Sequence, residues 1–451
     1  MNGYVGKVLR VNFSTQEVKV EELNLELAQK YIGARGLGVK TFIDEVDPKV
    51  DPLSEDNKLI IATGPLTGAP MPTSGRYMVV TKAPLTGTIA ISNSGGKWGV
   101  KFKSTGYDMI IMEGKSEKPV YLYIDDETVE IKDAEKYWGM VSSEVTDALT
   151  EAHPGTNVMC IGPAGEKLSP MAAIMNDVDR AAGRGGVGAV MGSKNVKAVV
   201  VKGSKKVEVA DSELVKKVNA DKVNILKNDP VAGGGLPTYG TAVLVNIINE
   251  NGIHPVRNFQ ESYTEKADLI SGEAMTENCL VKKNPCYRCP IACGRWVKLN
   301  DGREVGGPEY ETLWSFGSDC DIYDLDAINR ANELCNEYGL DTISAGATIA
   351  AAMELYQRGY IKDEELVADG LSLNWGDVES MVAWTKKMGL REGFGDKLAE
   401  GSYRLCESYN ATQYSMTVKK QELPAYDPRG VKGHGITYAV NNRGGCHIKG
   451  Y

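Results

Sequence analysis

The chain has 451 residues, a formal net charge of −9, and apolar and charged fractions of 42% and 25%. This length predicts two or three globular domains, and the negative charge argues against nucleic acid or an anionic membrane as the main partner. No signal-peptide layout and no run near about 18 apolar residues is present, so we expect a cytoplasmic protein without a membrane span, whose nine cysteines stay reduced.

The N-terminal part of the chain is predicted to be rich in strands. GKVLRVNF and EVKVEEL alternate apolar and polar residues around a short turn, and VYLYIDD and TVEIKDA do the same, so each pair predicts a hairpin. KLIIATG and VKAVVVKG are continuous apolar runs, which suit strands covered on both faces. The tetrapeptide Pro-Leu-Thr-Gly begins at Pro65 and again at Pro84. It indicates either a pseudo-repeat of sheets or half-domains, or coincidence in a glycine-rich region.

The pattern becomes helical after about residue 208. One helix is predicted from Asp324 to Tyr338, ending at Gly339, and a second is capped by Asp341. The residues from about 418 onward are too few to build a core, so they pack on the other domains or belong to a longer chain, and we favour the longer chain. The predicted domains are 1–208, β-rich; 209–417, mostly helical; and 418–451, the start of a truncated third domain.

Cys286, Cys289 and Cys293 form the densest group of metal-binding residues. Their C-x₂-C-x₃-C spacing lets one short loop direct three thiolates toward one centre. A structural zinc site needs a second pair, which is missing, and a small ferredoxin module uses a different run. A four-iron cluster with one distant ligand fits better, and buried cysteines without a metal remain the alternative. The candidates for the distant ligand are Cys320, Cys335, Cys446 and a residue beyond this sequence.

Basic residues surround the three cysteines. Lys282, Lys283, Arg288, Arg295 and Lys298 lie within eighteen positions that contain no acidic residue. Cations stabilise an anionic thiolate cluster and attract an acidic electron carrier. The pattern therefore favours electron transfer, and a solvated loop is the alternative.

The segment NDVDRAAGRGGVGAVMGSK is the second dense motif. Gly183, Gly185 and Gly188 match G-x-G-x-x-G formally, which would indicate a dinucleotide. No clear strand directly precedes them, however, and Arg180 and Arg184 flank the turn. Backbone amides and guanidinium groups of this kind suit phosphate oxygens of another ligand.

A second surface of glycine and polar residues lies between predicted strands. TSGRYMVV contributes Arg76, and ISNSGGKWG contributes Asn93, Gly95 and Gly96. Taken singly, each of these is more typical of a tight turn than of a binding site.

Together these motifs resemble the tungsten-containing aldehyde ferredoxin oxidoreductases along essentially the whole chain. The resemblance is carried by GPLTGAPMPTSGRY, NSGGKWG, IMNDVDRAAGRGGVGAVMGSK, CYRCPIACGR, GPEYETLW, YGLDTIS and AYDPRG…NNRGGCHIKGY. It implies an α+β fold: an N-terminal domain of two β-sheets with helices, followed by mostly α-helical domains. It also implies a tungsten bis-pyranopterin (tungstopterin, a molybdopterin-type cofactor), a 4Fe–4S cluster and a magnesium ion that bridges the pterins.

The resemblance assigns roles to individual residues. Cys286, Cys289 and Cys293 match three cluster ligands, and the family's fourth ligand comes from a later segment that this chain does not contain. Tyr310, Glu311 and His447 match residues that line the substrate pocket, and Asn93 and Ala181 match the magnesium contacts. The matched pterin contacts are Arg76, Asn93, Gly95, Arg180, Ala181, Gly183, Arg184, Asn336, Leu340, Asp341, Arg443, Gly444 and Lys449.

The chain departs from the family pattern in two motifs and in length. Asn336 stands where the pterin-binding D-x-x-G-L-D/C motif has Asp, which replaces a charged acceptor by a neutral amide. The E-x-x-H segment that holds a metal between subunits reads Arg330-Ala-Asn-Glu333 here. We therefore expect a homodimer, if one forms, to lack that metal. Family members are also appreciably longer, which indicates a fragment.

The resulting hypothesis is a cytoplasmic enzyme of anaerobic metabolism that oxidises an aldehyde to its carboxylic acid and passes electrons through the cluster to ferredoxin. Glu311 is the candidate base, and His447 the group that polarises the carbonyl or relays protons. One alternative is a related tungstopterin enzyme that acts on another carbonyl or a thioester. Another is a non-catalytic electron-transfer subunit or fragment.

Overall fold

The computed structural model describes residues 2–450, which divide into two units. The first unit runs to Asp229 and also includes Pro285–Pro290. The second holds Pro230–Asn284 and the chain from Ile291 onward. The sequence-based division into 1–208, 209–417 and 418–451 stays a prediction.

The first half of the first unit is built on a six-stranded sheet in the order β2-β1-β6-β3-β4-β5. Its elements are β1 (Lys7–Asn12), β2 (Glu17–Glu22), α1 (Leu25–Tyr31), α2 (Ala34–Glu45), β3 (Leu59–Thr63), β4 (Tyr77–Lys82), β5 (Ile89–Ser94), α3 (Trp98–Lys103) and β6 (Met109–Glu113). The predicted hairpin of β1 and β2 is confirmed, with Lys7 opposite Glu22. Strand β6 pairs with β1 in parallel and with β3 antiparallel.

The second half is built on another six-stranded sheet, in the order β11-β10-β9-β12-β7-β8. Its elements are β7 (Val120–Asp125), β8 (Thr128–Asp133), a 3₁₀ turn (Glu135–Tyr137), α4 (Ser142–Ala152), β9 (Asn157–Cys160), α5 (Pro163–Glu166), β10 (Ile174–Asn176), β11 (Arg180–Ala182), α6 (Val187–Ser193) and β12 (Val196–Lys202). Helix α7 (Ser212–Asn228) follows. The predicted hairpin of β7 and β8 is also confirmed.

The two halves repeat one topology. When the strands of each half are numbered from its own first strand, both sheets have the order 2-1-6-3-4-5. This confirms the predicted pseudo-repeat of half-domains. The tetrapeptide does not mark it, because Pro65 and Pro84 both belong to the first half, in the turns after β3 and β4. Those turns end in glycines with φ of 79° at Gly68 and 69° at Gly87, which explains the recurring glycine.

The main core of the first unit includes side chains from both sheets. Along β12, Val199 and Val201 belong to this core, whereas Ala198 and Val200 pack with Leu149 of α4. As predicted, β3 and the body of β12 are buried on both faces. Helix α3 of the first half contacts β9 and β12, and α6 of the second half contacts β3 and β4. Each half therefore packs a helix on the sheet of the other half.

The second unit is mostly helical. Its α-helices are α8 (Leu236–Tyr239), α9 (Leu244–Glu250), α10 (Gly272–Asn278), α11 (Tyr310–Ser315), α12 (Leu325–Tyr338), α13 (Thr342–Gln357), α14 (Asp363–Leu366), α15 (Val378–Leu390), α16 (Gly395–Leu398), α17 (Ser402–Ser408) and α18 (Lys432–Val440). Its strands are β13 (Leu280–Lys283), β14 (Arg295–Lys298) and β15 (Glu304–Gly306), in one antiparallel sheet, and β16 (Thr417–Val418) and β17 (Gln421–Glu422), in another. The predicted α+β class, with a β-rich part followed by helices, is confirmed.

Helix α12 begins and ends where local sequence signals predicted, and α13 begins at its predicted cap. Asp324 accepts a hydrogen bond from the Ala327 amide and caps α12, which ends at Gly339 in the left-handed conformation. Asp341 then accepts from the Ile343 amide and caps α13. Nearly every side chain of α13 is buried, so it is the central helix of this unit.

The segment from 418 onward packs on this unit, because β17 contacts α13 and α17. Pro230–Glu250 is the one helical stretch among residues 2–450 with the length and apolar composition of a membrane span. It consists of a π-helical turn, α8, a 3₁₀ turn and α9, with φ of 69° at Gly240. Because a bilayer requires continuous backbone hydrogen bonding, this broken helix is poorly suited to span one.

The close contact between α5 and α6 yields a stability prediction. A Cβ atom at Gly192 of α6 would lie 2.0 Å from the Gly165 carbonyl oxygen, whereas one at Gly433 of α18 meets no atom within 4 Å. We expect Gly192→Ala to lower the free energy of unfolding by about 1–3 kcal/mol through overpacking. The matched Gly433→Ala should leave it unchanged or raise it by up to about 1 kcal/mol, since alanine favours a helix. Equal denaturation midpoints for the two variants would contradict this close approach of α5 and α6.

Candidate functional site

The three clustered cysteines lie in the loop of a hairpin. Strands β13 and β14 pair antiparallel, with Lys283 opposite Arg295, so both ends of loop 284–294 are held. Arg288 and Ala292 have φ of 49°, unusual for residues with a side chain, and the Cys289 amide donates to the Cys286 carbonyl at 3.1 Å. Such strained turns are typical of functional loops. All three cysteines are half-buried.

Most other cysteines are placed differently. Cys160, Cys320, Cys335, Cys406 and Cys446 are buried. Burial raises the pKa of the Cys320 and Cys335 thiols well above the usual value, and Cys320 donates to the Ser315 carbonyl at 3.3 Å. The identity of the distant ligand stays a prediction, with Cys320, Cys335, Cys446 and a residue beyond this sequence as the candidates.

Among residues 2–450 no three His, Cys, Asp or Glu side chains converge as a metal site. The assignment of Cys286, Cys289 and Cys293 as cluster ligands thus stays a prediction that rests on spacing and resemblance.

Of the five basic residues around these cysteines, four are exposed and one is buried. Lys282, Lys283, Arg288 and Lys298 are exposed, as expected for residues that meet a partner. Arg295 is buried, and its guanidinium donates to the carbonyls of Leu236 at 2.7 Å and Ala292 at 3.1 Å. Burial lowers its pKa. Burial makes Arg295 unsuited to attract an electron carrier, whereas its electrostatic interaction with Cys293 agrees with the predicted stabilisation of the cysteine group.

The glycine turn after β5 is tightly enclosed in the first unit. At Gly95 a Cβ atom would lie 2.6 Å from the Cys286 sulfur. At Gly96, with φ of 79°, it would lie 2.3 Å from a carboxylate oxygen of Asp177. Asp177 accepts from the amides of Lys97 at 2.6 Å and Trp98 at 3.1 Å, at the start of α3. Only glycine fits both positions.

The equivalent turn of the second half follows β11. The expectation that no strand directly precedes these glycines was wrong, because β11 ends at Ala182, next to Gly183. It is a three-residue strand, too short to show an alternating pattern. Its antiparallel pairing with β10 also differs from the parallel unit of a dinucleotide site. At Gly186, with φ of 77°, a Cβ atom would lie 2.3 Å from the Pro170 carbonyl oxygen.

The predicted pterin contacts of the first unit lie together. Strands β5 and β11 are edge strands of their sheets and contact each other. Arg76 donates to the Asn93 side-chain oxygen at 2.6 Å, beside Gly95. A Cβ atom at Gly96 would lie 3.2 Å from Arg180, which precedes the exposed Ala181. Arg184 is buried in the second turn. Arg76, Asn93, Gly95 and Arg180 thus border one region next to Cys286.

The predicted substrate-pocket residues meet in the second unit. Glu311, in the first turn of α11, has one carboxylate oxygen 3.6 Å from His447 Nδ1, and its other oxygen accepts from the Ala425 amide at 3.0 Å. The Tyr310 hydroxyl donates to the Ala425 carbonyl at 2.8 Å. Tyr426 adds an aromatic wall, with ring centroids 5.7 Å from Tyr310 and 5.8 Å from His447. The segment at 425–426, which begins the AYDPRG motif but was given no site role in the sequence analysis, organises this group.

The remaining predicted pterin contacts lie in two turns of the second unit. Asn336 is half-buried on α12, and Leu340 precedes the cap Asp341, whose carboxylate accepts from the Ser344 hydroxyl at 2.7 Å. Arg443 is buried and lies 3.5 Å from the Cys446 sulfur. Gly444 has φ of 99°, and a Cβ atom there would lie 2.6 Å from a carbonyl oxygen. Lys449 lies in the short 3₁₀ turn His447–Lys449.

Comparison with known proteins identifies the family of this chain. Residues 8–203 match the N-terminal domain of aldehyde ferredoxin oxidoreductase, and residues 217–451 match domains 2 and 3. The chain belongs to the aldehyde ferredoxin oxidoreductase family.

Individual relatives agree with this membership. The chain is 59% identical to the tungsten-containing aldehyde ferredoxin oxidoreductase of Pyrococcus furiosus and 57% identical to that of Thermococcus kodakarensis. Each match covers 100% of this chain and 75% of the relative. Among solved structures, the active-site complex BamBC of benzoyl coenzyme A reductase with 1,5-dienoyl-CoA aligns with a TM-score of 0.86 and 29% identity. That alignment covers 98% of this chain and 70% of the other.

Membership in the aldehyde ferredoxin oxidoreductase family implies a tungstopterin and an iron–sulfur cluster. The chemistry of the donor residues suits both groups. Arg76, Arg180 and Arg184 border the two topologically equivalent glycine turns, and guanidinium groups bind phosphate oxygens. The hairpin loop offers three half-buried thiols, the ligands that iron–sulfur clusters use.

The contact between Gly95 and Cys286 can be tested through iron content. We expect Gly95→Ala to reduce bound iron per chain, because the added methyl group would lie 2.6 Å from the Cys286 sulfur and displace it. Gly64→Ala is the matched control, since its nearest neighbour would be an ordinary 3.6 Å away. Iron analysis and the visible absorption of anaerobically purified protein measure the effect. Full iron content in Gly95→Ala would argue against Cys286 as a ligand.

Proposed function

We propose that this aldehyde ferredoxin oxidoreductase family member oxidises aldehydes to carboxylic acids with water, passing electrons through a 4Fe–4S cluster to ferredoxin. The observation that carries the proposal is the Glu311–His447 pair, 3.6 Å apart beside Tyr310 and Tyr426. A carboxylate and an imidazole this close can share one proton once a small movement or one water molecule brings them within hydrogen-bonding reach, about 2.6–3.2 Å. Aromatic side chains next to them suit the apolar part of an aldehyde.

The proposed cofactor contacts follow the predicted residues. Arg76, Gly95, Arg180, Gly183 and Arg184 would hold pterin phosphates of a bis-pyranopterin, and Asn93 and Ala181 would contact a bridging magnesium ion. In the second unit the contacts would be Asn336, Leu340, Asp341, Arg443, Gly444 and Lys449. Cys286, Cys289 and Cys293 would bind the cluster. Tungstopterin, where bound, supplies the two-electron redox chemistry that amino-acid side chains lack.

Glu311 and His447 have different roles in the proposed proton transfers. Conversion of an aldehyde and water to a carboxylic acid releases two electrons and two protons. Glu311 takes a proton from the water that attacks the carbonyl carbon, and the Ala425 amide orients its carboxylate. His447 donates a hydrogen bond to the carbonyl oxygen and makes the carbon more electrophilic. Tyr310 and Tyr426 orient the substrate.

Other reactions remain alternatives for the same site. The likeness to benzoyl coenzyme A reductase at 29% identity keeps a thioester substrate under consideration, and other carbonyl compounds are also candidates. Parallel assays with small aldehydes and with an aromatic acyl-coenzyme A separate these reactions. A non-catalytic electron-transfer subunit would contain iron without tungsten, which elemental analysis detects.

The proposed setting is an anaerobic cytoplasm. A homodimer is proposed to lack an intersubunit metal, since Arg330 and Glu333 engage in ion pairs of their own with Glu379 and Arg303. Neither nucleic acid nor a membrane is a proposed partner, given the net charge of −9.

Replacing the proposed base tests the mechanism. We expect Glu311→Gln to lower kcat by at least about 100-fold, the lower end of the usual contribution of a general base, with unchanged tungsten content. Glu379→Gln, at an exposed position on α15, is the control and should keep normal turnover. Aldehyde-dependent dye reduction gives the rate. Wild-type turnover in Glu311→Gln would remove this residue from the mechanism.

The exposed lysines of β13 provide a test of ferredoxin docking. We expect Lys282→Glu/Lys283→Glu to raise the KM for ferredoxin severalfold at low salt, because opposite charges steer association. Reduction of a neutral dye by the same variant should stay normal. The control Lys205→Glu/Lys206→Glu reverses another exposed pair of lysines. Equal ferredoxin KM values in both double variants would place docking elsewhere.

A further inference from the structure

His254 is a fully buried histidine next to the proposed site that the proposed chemistry does not use. None of its surface is exposed, and burial lowers its pKa to about 3, so the ring is neutral at physiological pH. Both ring nitrogens have partners. Nε2 lies 2.6 Å from the Ser318 hydroxyl, and Nδ1 lies 3.4 Å from the Tyr310 hydroxyl.

The direction of these hydrogen bonds follows from counting protons. The Tyr310 hydroxyl donates its one proton to the Ala425 carbonyl, so its oxygen acts as an acceptor toward His254. A neutral imidazole carries one N–H, which must then be on Nδ1. Nε2 is then an acceptor, and the Ser318 hydroxyl donates to it at 2.6 Å in preference to the Pro255 carbonyl at 3.3 Å.

Further hydrogen bonds connect Tyr310 to the carboxylate of Glu311. The residue whose carbonyl accepts from Tyr310 is Ala425, and the amide of that residue donates to Glu311 at 3.0 Å. Donors therefore run in one direction from Ser318 through His254 and Tyr310 to the Ala425 carbonyl. The Ala425 amide then connects this chain to Glu311. An amide does not pass a proton readily, so the chain can orient the carboxylate without relaying protons to it.

We propose that His254 is a positioning residue whose Nδ1–H bond to Tyr310 sets the backbone at Ala425 and thereby the orientation of the Glu311 carboxylate for catalysis. Ser318 selects the required tautomer by donating to Nε2. The inference rests on the proposed function of Glu311.

Packing is the competing explanation, because the His254 and Tyr310 rings lie 6.2 Å apart between centroids. Two substitutions separate packing from hydrogen bonding. Phenylalanine at 254 preserves the ring volume but cannot donate. Asparagine loses volume but places an amide N–H near the position of Nδ1. Ser318→Ala supplies a third variant that leaves the His254 ring in place.

The first experiment measures the protection of the Ala425 amide and does not rely on turnover. Hydrogen–deuterium exchange, followed by mass spectrometry of a peptide that contains Ala425, is compared among the holoenzyme variants. We expect faster exchange of this amide in His254→Phe and Ser318→Ala, and near wild-type exchange in His254→Asn. Thermal midpoints and tungsten content report on general damage.

The second experiment measures kcat and KM separately, with a small aldehyde as substrate and a dye as electron acceptor. We expect His254→Phe to lower kcat by about 3- to 10-fold, the effect of one lost hydrogen bond, with little change in KM. His254→Asn should recover most of the loss. If asparagine is worse than phenylalanine in either experiment, the ring acts by packing and the inference is wrong. Faster exchange with unchanged kcat would also overturn it.

The Glu311→Gln result separates this inference from the proposed function. Normal turnover in that variant refutes the role of Glu311 itself. Loss of turnover in Glu311→Gln, combined with wild-type exchange and kcat in both His254→Phe and Ser318→Ala, refutes only the positioning role.

Discussion

The carboxylate of Asp177 is the contact that ties the glycine turn after β5 to the second half of the first unit. It comes from the second half and accepts from the Lys97 and Trp98 amides at the start of α3, which belongs to the first half. The next residue, Val178, has φ of 70°, a conformation that costs a β-branched residue on the order of 1–3 kcal/mol. Hydrogen bonds to Asp177, including one from Asn157 at 2.8 Å, help to offset that cost. The contact between β5 and β11 and the hydrogen bond from Asn176 to the Gly95 carbonyl at 3.2 Å hold the same turn close to the second half.

The repeated topology explains why the chain has two glycine turns bordered by arginines rather than one. The turn after β5 and the turn after β11 occupy equivalent places in a repeated topology, and their edge strands contact each other. A ligand with two phosphate-bearing arms, such as a bis-pyranopterin, matches this arrangement better than a dinucleotide, which uses one turn in a parallel βαβ unit. The cysteine loop meets the same region through Cys286 and Gly95. Electron transfer out of such a cofactor would therefore begin close to where its phosphates are held.

Several features could be predicted because their signals are local. The hairpins β1–β2 and β7–β8 follow from alternating polarity, and the caps of α12 and α13 follow from Asp324, Gly339 and Asp341. Strand β11 was missed because three residues cannot show a period, and its pairing with β10 comes from the tertiary fold. The burial of Arg295 could not be predicted, because charge in a sequence does not reveal burial. His254 gave no signal, since a single histidine in a coil has no motif around it.

The amino-acid sequence by itself determined the family, the strand and helix patterns and the chemical types of the site residues, because these depend on residue identity and short-range spacing. Only the tertiary structure decided that the two halves repeat one topology and that Asp177 packs against Gly96. It also decided that Glu311 lies next to both His447 and the Ala425 amide. Glu311 and His447 are separated by more than a hundred positions, so their approach is set by how helices and loops pack. Packing of this kind is a property of the whole fold, and no short segment of the sequence encodes it.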